Sequence, residues 1–356
     1  MSISSNRQEM KISSSLNDKE KEEINVFFKK LKFQSHYNNP IWAEWVEPYK
    51  KPIFIRFYEN TELSGFVIVY VRMAFAVIKF GPLVINKERI PDCINQIIEY
   101  LHREKSGLLT VHLPFTNDFD FDSLCLNEKK INYPFSFGKK GWSTILIPLT
   151  DKTSEDIFKA FSKGHKSSIK KAIKEGVEAR LIDDKKHIDQ LSEIYDNMHQ
   201  RKGLVMPLPD SKNTFNKIFD LNLGGFIGVF IDNEIAGGIV FLSEGNSLLY
   251  KFGATNIKYH NMPVLHIAIY EMLKHAIKTN HEAADLGGYS DNAKPGSYSD
   301  GVNLFKKGFG GQKVEYSRPL SIRINFVKWL FLSAAFYLNQ KIPLPVKNWI
   351  YRYKGK

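Results

Sequence analysis

IFIRFYENTELSGFVIVYV, residues 53–71, and FIGVFIDNEIAGGIVFL, residues 226–242, decide how this chain is built. Each is an apolar run, a short polar break and a second apolar run, which reads as two strands joined by a tight turn. The turns are expected at Glu59-Asn60 and Asp232-Asn233. The tripeptide KFG recurs at 79–81 and 251–253, an offset of 172 residues, and at that offset 54–101 falls on 226–273 without a gap. Twelve of those 48 positions are identical, among them Phe54/Phe226, Gly65/Gly237, Lys79/Lys251, Pro91/Pro263 and Leu101/Leu273. Each strand pair leads to a further strand ending at KFG, then a polar loop, a proline and a helix: IPDCINQIIEYLHRE (90–104) and MPVLHIAIYEMLKHAIK (262–278). Proline near the first helical turn suits both. A short strand closes each set, in LLTVHLPF (108–115) and EAADLGGYS (282–290). Five elements in one ungapped order are hard to obtain by chance. The expected class is α/β with mixed sheets. Two β-β-β-α-β modules are expected over 33–150 and 151–320, with a lead-in and helix over 1–32 and a helical tail over 321–356.

The composition agrees with two domains. The chain has 356 residues, 43% hydrophobic and 13% aromatic, enough to bury real cores. Its net charge of +12 favours polyanionic partners. The richness in Lys, Asn, Ile and Phe would follow equally from nucleotide bias, so charge alone selects none. Two cysteines, Cys93 and Cys125, form neither a disulfide framework nor a zinc spacing. Residues 1–23 lack an apolar core segment, so they read as a disordered lead-in before a helix near 17–31, not as a signal peptide. No run of about 20 apolar residues occurs. A cytoplasmic protein is expected.

Much chemistry is absent. There is no H-E-x-x-H or Cys/His cluster, so no metal site is expected, and no G-x-S-x-G or phosphate-binding G-x-x-x-x-G-K-[ST] loop. The element order is that of a GNAT-type acyltransferase core, so tandem GNAT-like domains are expected. In that fold the loop after the long strand normally carries glycines whose N–H groups hold the coenzyme A pyrophosphate. The corresponding loops here, PLVINKERIP and ATNIKYHNMP, hold no glycine run. No bound cofactor is expected.

Between the modules, TSEDIFKAFSKGHKSSIKKAIKEG (153–176) opens with Thr153 and Asp156 at capping-box spacing and stops at Gly176. Lys166, Lys170 and Lys174 step by four and share a helix face. That face is a solvated surface or a contact for a phosphate backbone.

Together these pieces resemble the FemABX aminoacyltransferases, over roughly residues 33–316. The matching segments are FQSHYNNPIW (33–42), FGPLVI (80–85), SSIKKAIKEGVE (167–178), MHQRKG (198–203), LLYKFGATN (248–256), ADLGG (284–288) and LFKKGFGGQ (304–312). The resemblance implies tandem GNAT-like domains. It also implies transfer of an amino acid from aminoacyl-tRNA to an amine of a peptidoglycan stem peptide, on lipid II or UDP-MurNAc-pentapeptide. Members that carry a long helical arm hold it in the second domain. Only some 50 residues separate Gly176 from Phe226, so an armless form is expected. Leu113 stands before Pro114 where the family often has aspartate, which leaves the acceptor open.

The resemblance places the transfer site at Phe305-Lys306. Aminolysis of an ester builds negative charge on the carbonyl oxygen, and a fixed cation such as Lys306 stabilises it or the neighbouring phosphates. Phe305 would offer a stacking face to the terminal adenosine. Gly308, Gly310 and Gly311 would let backbone pass close to the ligand. No covalent enzyme intermediate is needed, in keeping with the missing nucleophile. Asp285 is the third catalytic candidate, to orient the amine, unless it is a turn cap. Tyr250, Arg201, Tyr289 and Lys251 are candidates for substrate binding. A packed strand-end tyrosine accounts for Tyr250 as well, and Arg201 would pair with phosphate or carboxylate. Lys166, Lys170 and Lys174 would hold tRNA. In the tail, 326–338 is nearly all apolar but too short to span a bilayer. It packs on the domain, or lies in the membrane face through 322–350 and brings the enzyme to a lipid-linked acceptor. Two alternatives differ in class: a coenzyme A-dependent N-acyltransferase on a small-molecule or polysaccharide amine, and a non-catalytic module binding tRNA or membrane.

Overall fold

A computed structural model describes residues 9–31, 33–46, 51–72, 74–114, 124, 126, 130–131, 143–202, 208 and 210–341. The chain forms two compact units.

The first unit opens with β1 (Glu9–Ser13) and α1 (Asp18–Phe28). Asn17 caps α1 through a capping box with Glu20. Then come β2 (Lys51–Glu59), β3 (Glu62–Arg72), β4 (Phe75–Lys79), β5 (Leu83–Val84), α2 (Ile90–Arg103) and β6 (Leu108–His112). The period-2 pattern of the quoted stretch sorts side chains to two faces. Ile55, Phe57, Val67 and Val69 meet the α2 stripe Ile90, Cys93, Ile94, Ile97, Ile98 and Leu101. Phe54, Phe66, Ile68 and Tyr70 face Ile24 and Phe27 of α1.

The second unit runs through β7 (Ser143–Pro148), α3 (Ser154–Ala160), α4 (Lys163–Lys174), β8 (Glu178–Leu181), α5 (Lys185–Arg201) and α6 (Ser211–Asp220). It continues with β9 (Gly224–Ile231), β10 (Glu234–Glu244), β11 (Ser247–Thr255), α7 (Val264–Lys278), β12 (Ala283–Tyr289), α8 (Tyr298–Lys307) and β13 (Gln312–Glu315). Its sheet order is β13-β7-β12-β11-β10-β9-β8. On one face Ile227, Val229, Ile239 and Phe241 pack on Val264, Ala268, Met272 and Leu273 of α7. On the other, Tyr195 of α5 and Phe215 of α6 pack on Phe252.

The chain then returns to the first unit with β14 (Leu320–Arg323) and α9 (Phe326–Lys341). That sheet reads β1-β2-β3-β4-β6-β14, with β5 also on β3. The repeat reaches even its irregularities. A bulge leaves Ser64 unpaired between β2 and β3, and another leaves Ala236 unpaired between β9 and β10, 172 residues on. In each unit one parallel pair, β4/β6 or β11/β12, lies among antiparallel neighbours.

Several expectations are corrected. The positive-φ turn residues of the first hairpin are Asn60 and Thr61, one residue later than read. The lead-in is not structureless, because Glu9–Ser13 pairs with β2. The unit boundary falls after Trp142, not at 150, because Ser143–Pro148 pairs with β12 of the second sheet. The tail from 321 is not a separate helix: Leu320–Arg323 completes the first sheet beside β6. Residues 342–356 and Cys125 lie outside the described residues. The lysine-bearing segment is two helices, not one. Phe161 turns extended to bury its ring at 2% exposure, and Ser162 caps the second helix through the His165 N–H.

Candidate active site

In the second unit, β11 and β12 pair over three positions, Ser247↔Ala283, Leu248↔Ala284 and Leu249↔Asp285. There the parallel pairing ends. Tyr250 stays with β10, where a bulge at Lys251 interrupts the register. On the other side the β12–β7 register shifts between Asp285 and Gly288, with Gly287 at φ +74. A Cβ at Gly287 would come 3.0 Å from the Tyr250 carbonyl oxygen. Irregular backbone thus flanks both edges of the parting strands, where bulges commonly aim side chains at a site.

Lys306, in the last turn of α8, reaches into this place. It is only 8% exposed. Its Nζ donates to the Gly288 carbonyl oxygen at 2.7 Å and lies 6.0 Å from the Tyr250 ring centroid. Burial lowers its ammonium to about 8, a shift the Asp285 carboxylate opposes. Asp285 moves the other way. Desolvation raises its carboxyl to about 6, while hydrogen bonds from Thr144 and the Gly287 N–H hold it down. The Gly287 N–H donates to Oδ1 at 2.6 Å. The Thr144 hydroxyl sits between that carboxylate and the Gly287 carbonyl oxygen at 2.9 Å. Asp285 keeps part of its residue surface open to solvent even though its carboxyl is desolvated. Tyr250 lies over Gly253, where a Cβ would meet its hydroxyl at 2.3 Å. Burial and the neighbouring Tyr298 raise its phenol. A buried cation, a desolvated carboxylate and a phenol therefore gather where the backbone of the two strands is irregular. Perturbed groups gathered in this way mark functional sites.

Phe305 points elsewhere. Its ring packs against His266, Phe309 and His165, at centroid distances of 5.0, 5.2 and 5.7 Å. The His165 Nε2 lies 2.8 Å from the Phe305 carbonyl oxygen, tying α4 to α8. Burial lowers both imidazoles, that of His266 to about 4, which favours their neutral forms. The glycines that follow are explained here. A Cβ at Gly308 would stand 2.1 Å from the His165 ring, and one at Gly310 would stand 2.5 Å from the Ala160 carbonyl oxygen. Their close approach is to the protein's own α3–α4 segment.

The remaining candidates divide. Tyr289 neighbours the site on β12, with the Lys307 and Lys313 ammonium groups 5.0 and 5.3 Å from its ring centroid. Lys251 is the bulged residue of β11, its ammonium 5.9 Å from the Phe252 ring centroid. Arg201 is exposed at the end of α5. It is its neighbour Lys202 that lies over Tyr298, at 4.9 Å. On α4, Lys170 and Lys174 are exposed, whereas Lys166 donates to the Lys159 carbonyl oxygen at 3.2 Å. Among the described residues no group of three His, Cys, Asp or Glu side chains is placed to hold a metal, and no helix is long and apolar enough to cross a membrane. Sequence reasoning missed Thr144, which carries only a strand signal, and His165, which is one of several scattered histidines.

No protein-family model matches the sequence, and no curated protein matches it. Solved structures do. The crystal structure of FemX superposes with a TM-score of 0.77 at 15% identity, over 91% of this chain and 100% of that one. L-PGS from Bacillus licheniformis gives 0.57 at 10% identity, over 88% of this chain and 96% of that one. A tandem GNAT protein from the clavulanic acid biosynthesis pathway gives 0.54 at 9% identity, over 89% and 99%. The chain has the FemX-like tandem GNAT fold, a fold that acyltransferases share.

Proposed function

We propose that the protein is an aminoacyltransferase that moves an amino acid from aminoacyl-tRNA to an amine of a peptidoglycan stem peptide. The observation that carries the reading is the buried Lys306 ammonium beside the desolvated Asp285 carboxylate, where β11 and β12 part. The FemABX-like motifs and the likeness to FemX support the same reading.

In this reading the acceptor amine attacks the ester carbonyl carbon. Negative charge grows on the carbonyl oxygen, and Lys306, already desolvated and anchored on Gly288, stabilises it with little reorganisation. Asp285 orients the amine and takes its proton, a role that a carboxyl near 6 fills at neutral pH. The C–N bond forms, the bond to the ribose oxygen breaks, and the proton passes to the released hydroxyl. Tyr250, Tyr289, Lys251 and Arg201 are proposed to bind substrate. Phe305 is a positioning residue, fixing the α8 turn that presents Lys306. The exposed Lys170 and Lys174, with Lys166, are proposed to hold the tRNA backbone by counterion release. Work on a lipid-linked acceptor would place the protein at the cytoplasmic membrane face through 322–350.

The test is a transfer assay with radiolabelled aminoacyl-tRNAs and either UDP-MurNAc-pentapeptide or lipid II, beside Lys306→Met. Label should move to one acceptor and be lost with the variant. No transfer from any charged tRNA, with thermal stabilisation by an acyl-CoA, would replace this reading with a coenzyme A-dependent one.

A further inference from the structure

The chain's C-terminal segment is chemically one-sided. From 316 to 356 it holds eight Lys and Arg residues and no Asp or Glu, although the chain as a whole carries 38 acids. Within it, α9 is fixed on the first unit by one side. Trp329 and Leu332 pack on Leu108, as Phe75 does. The Asn325 side chain accepts from the Lys328 N–H at 3.0 Å, and a Cβ at Gly107 would stand 2.9 Å from Lys328 Cβ. So close a seat sets the rotation of the helix. The opposite side is left outward: Phe326, Val327, Leu330, Phe331, Tyr337 and Leu338 are 54–78% exposed. At 100° per residue these six fall within one face of the helix. A surface helix normally turns its apolar stripe inward and a polar face outward; this helix is apolar on nearly every side, so seating one side leaves apolar side chains outward. A contiguous exposed patch of this kind marks an interaction site.

We propose that this outward face docks on an anionic lipid surface. The six side chains enter the boundary between headgroups and acyl chains, and the acid-free basic segment draws the face to negative headgroups. Charge chooses this occupant over a second copy of the chain. Two such faces brought together would juxtapose two wholly cationic segments with no carboxylate between them. Arg323, whose guanidinium lies 5.2 Å from the Phe326 ring centroid, and Lys341 stand at the two ends of the face, placed for headgroups. The docking surface deepens the membrane part of the reading above and is independent of the transfer chemistry.

Flotation of the full-length protein with vesicles tests it, using phosphatidylcholine alone and phosphatidylcholine mixed with phosphatidylglycerol. The expected result is binding to the anionic vesicles, weakened by salt, and reduced by about tenfold or more with Phe331→Glu. Phe331→Leu should bind like the parent. Phe331 is 78% exposed, so the variants should melt like the parent, and transfer to a water-soluble acceptor should be unchanged. Protein that stays at the bottom of the gradient with both vesicles overturns the proposal. So does equal binding by Phe331→Glu, or a dimer in gel filtration that this variant dissociates.

Discussion

Replacing Lys306 by methionine should abolish transfer and yet stabilise the fold. The native state holds the Lys306 ammonium at about 8 against an ordinary 10.5, because burial removes its hydration. Below the native value the charged form is carried at a penalty. At about 1.4 kcal/mol per unit, the difference of roughly 2.5 units corresponds to about 3 kcal/mol. Methionine fills similar space without charge, but it loses the hydrogen bond to Gly288, worth about 1 kcal/mol. The net gain at pH 7 is about 2 kcal/mol, or about 4–8 °C in Tm for a unit of this size. The sign of the pH dependence follows. The penalty is full below the native value, shrinks as pH rises toward 10.5, and is gone above it, where lysine is neutral in both states. The advantage of the variant should therefore vanish near pH 10. Thermal melts of both proteins at pH 7 and pH 10, beside transfer rates, measure this. A variant less stable than the parent at pH 7, or an advantage unchanged at pH 10, would refute the electrostatic account of this residue.

Thr144→Val removes the hydroxyl that favours the ionised Asp285, so the acidic limb of the pH–rate profile should rise by about one unit, with more activity lost at pH 6 than at pH 8. Gly308→Ala should destabilise by about 2 kcal/mol in urea melts, because its Cβ would strike a His165 ring already packed against Phe305 and Phe309. Lys170→Glu with Lys174→Glu should leave the melting temperature nearly unchanged, weaken tRNA binding and flatten its salt dependence by about two units of slope.

The parts of the fold legible in the sequence are those written locally. The duplicated hairpins show as apolar runs on either side of a polar break, with the first turn read one residue early, and α2 as an apolar stripe at Ile90, Ile94, Ile97 and Leu101. Membership of β7 and β14 was not legible. Each is a short strand whose partner lies far along the chain, and nothing in six or four residues names the sheet they join. The site divides in the same way. Lys306 and Asp285 stand in motifs with family likeness, which makes them candidates from sequence, but their burial and opposed proton affinities belong to the parting of β11 and β12. The glycines after Lys307 announced a close approach without saying to what. For Gly308 the answer is His165 and for Gly310 it is Ala160, both about 140–150 residues earlier in the chain.

The excursion of the chain out of the first unit and back sets an order of assembly. As the protein is synthesised, β6 ends at residue 112 and its neighbour β14 begins only at residue 320. At about 5–20 residues per second, the outer edge of β6 waits on the order of ten seconds or more for its partner. The second unit has a shorter wait of the same kind, since β7 ends at residue 148 and its neighbours β12 and β13 begin at residues 283 and 312. The unit that starts first is thus finished last. A chain cut short near Val314 would complete the second sheet while leaving the backbone of Leu109 and Val111 as an open edge, free to pair with another chain.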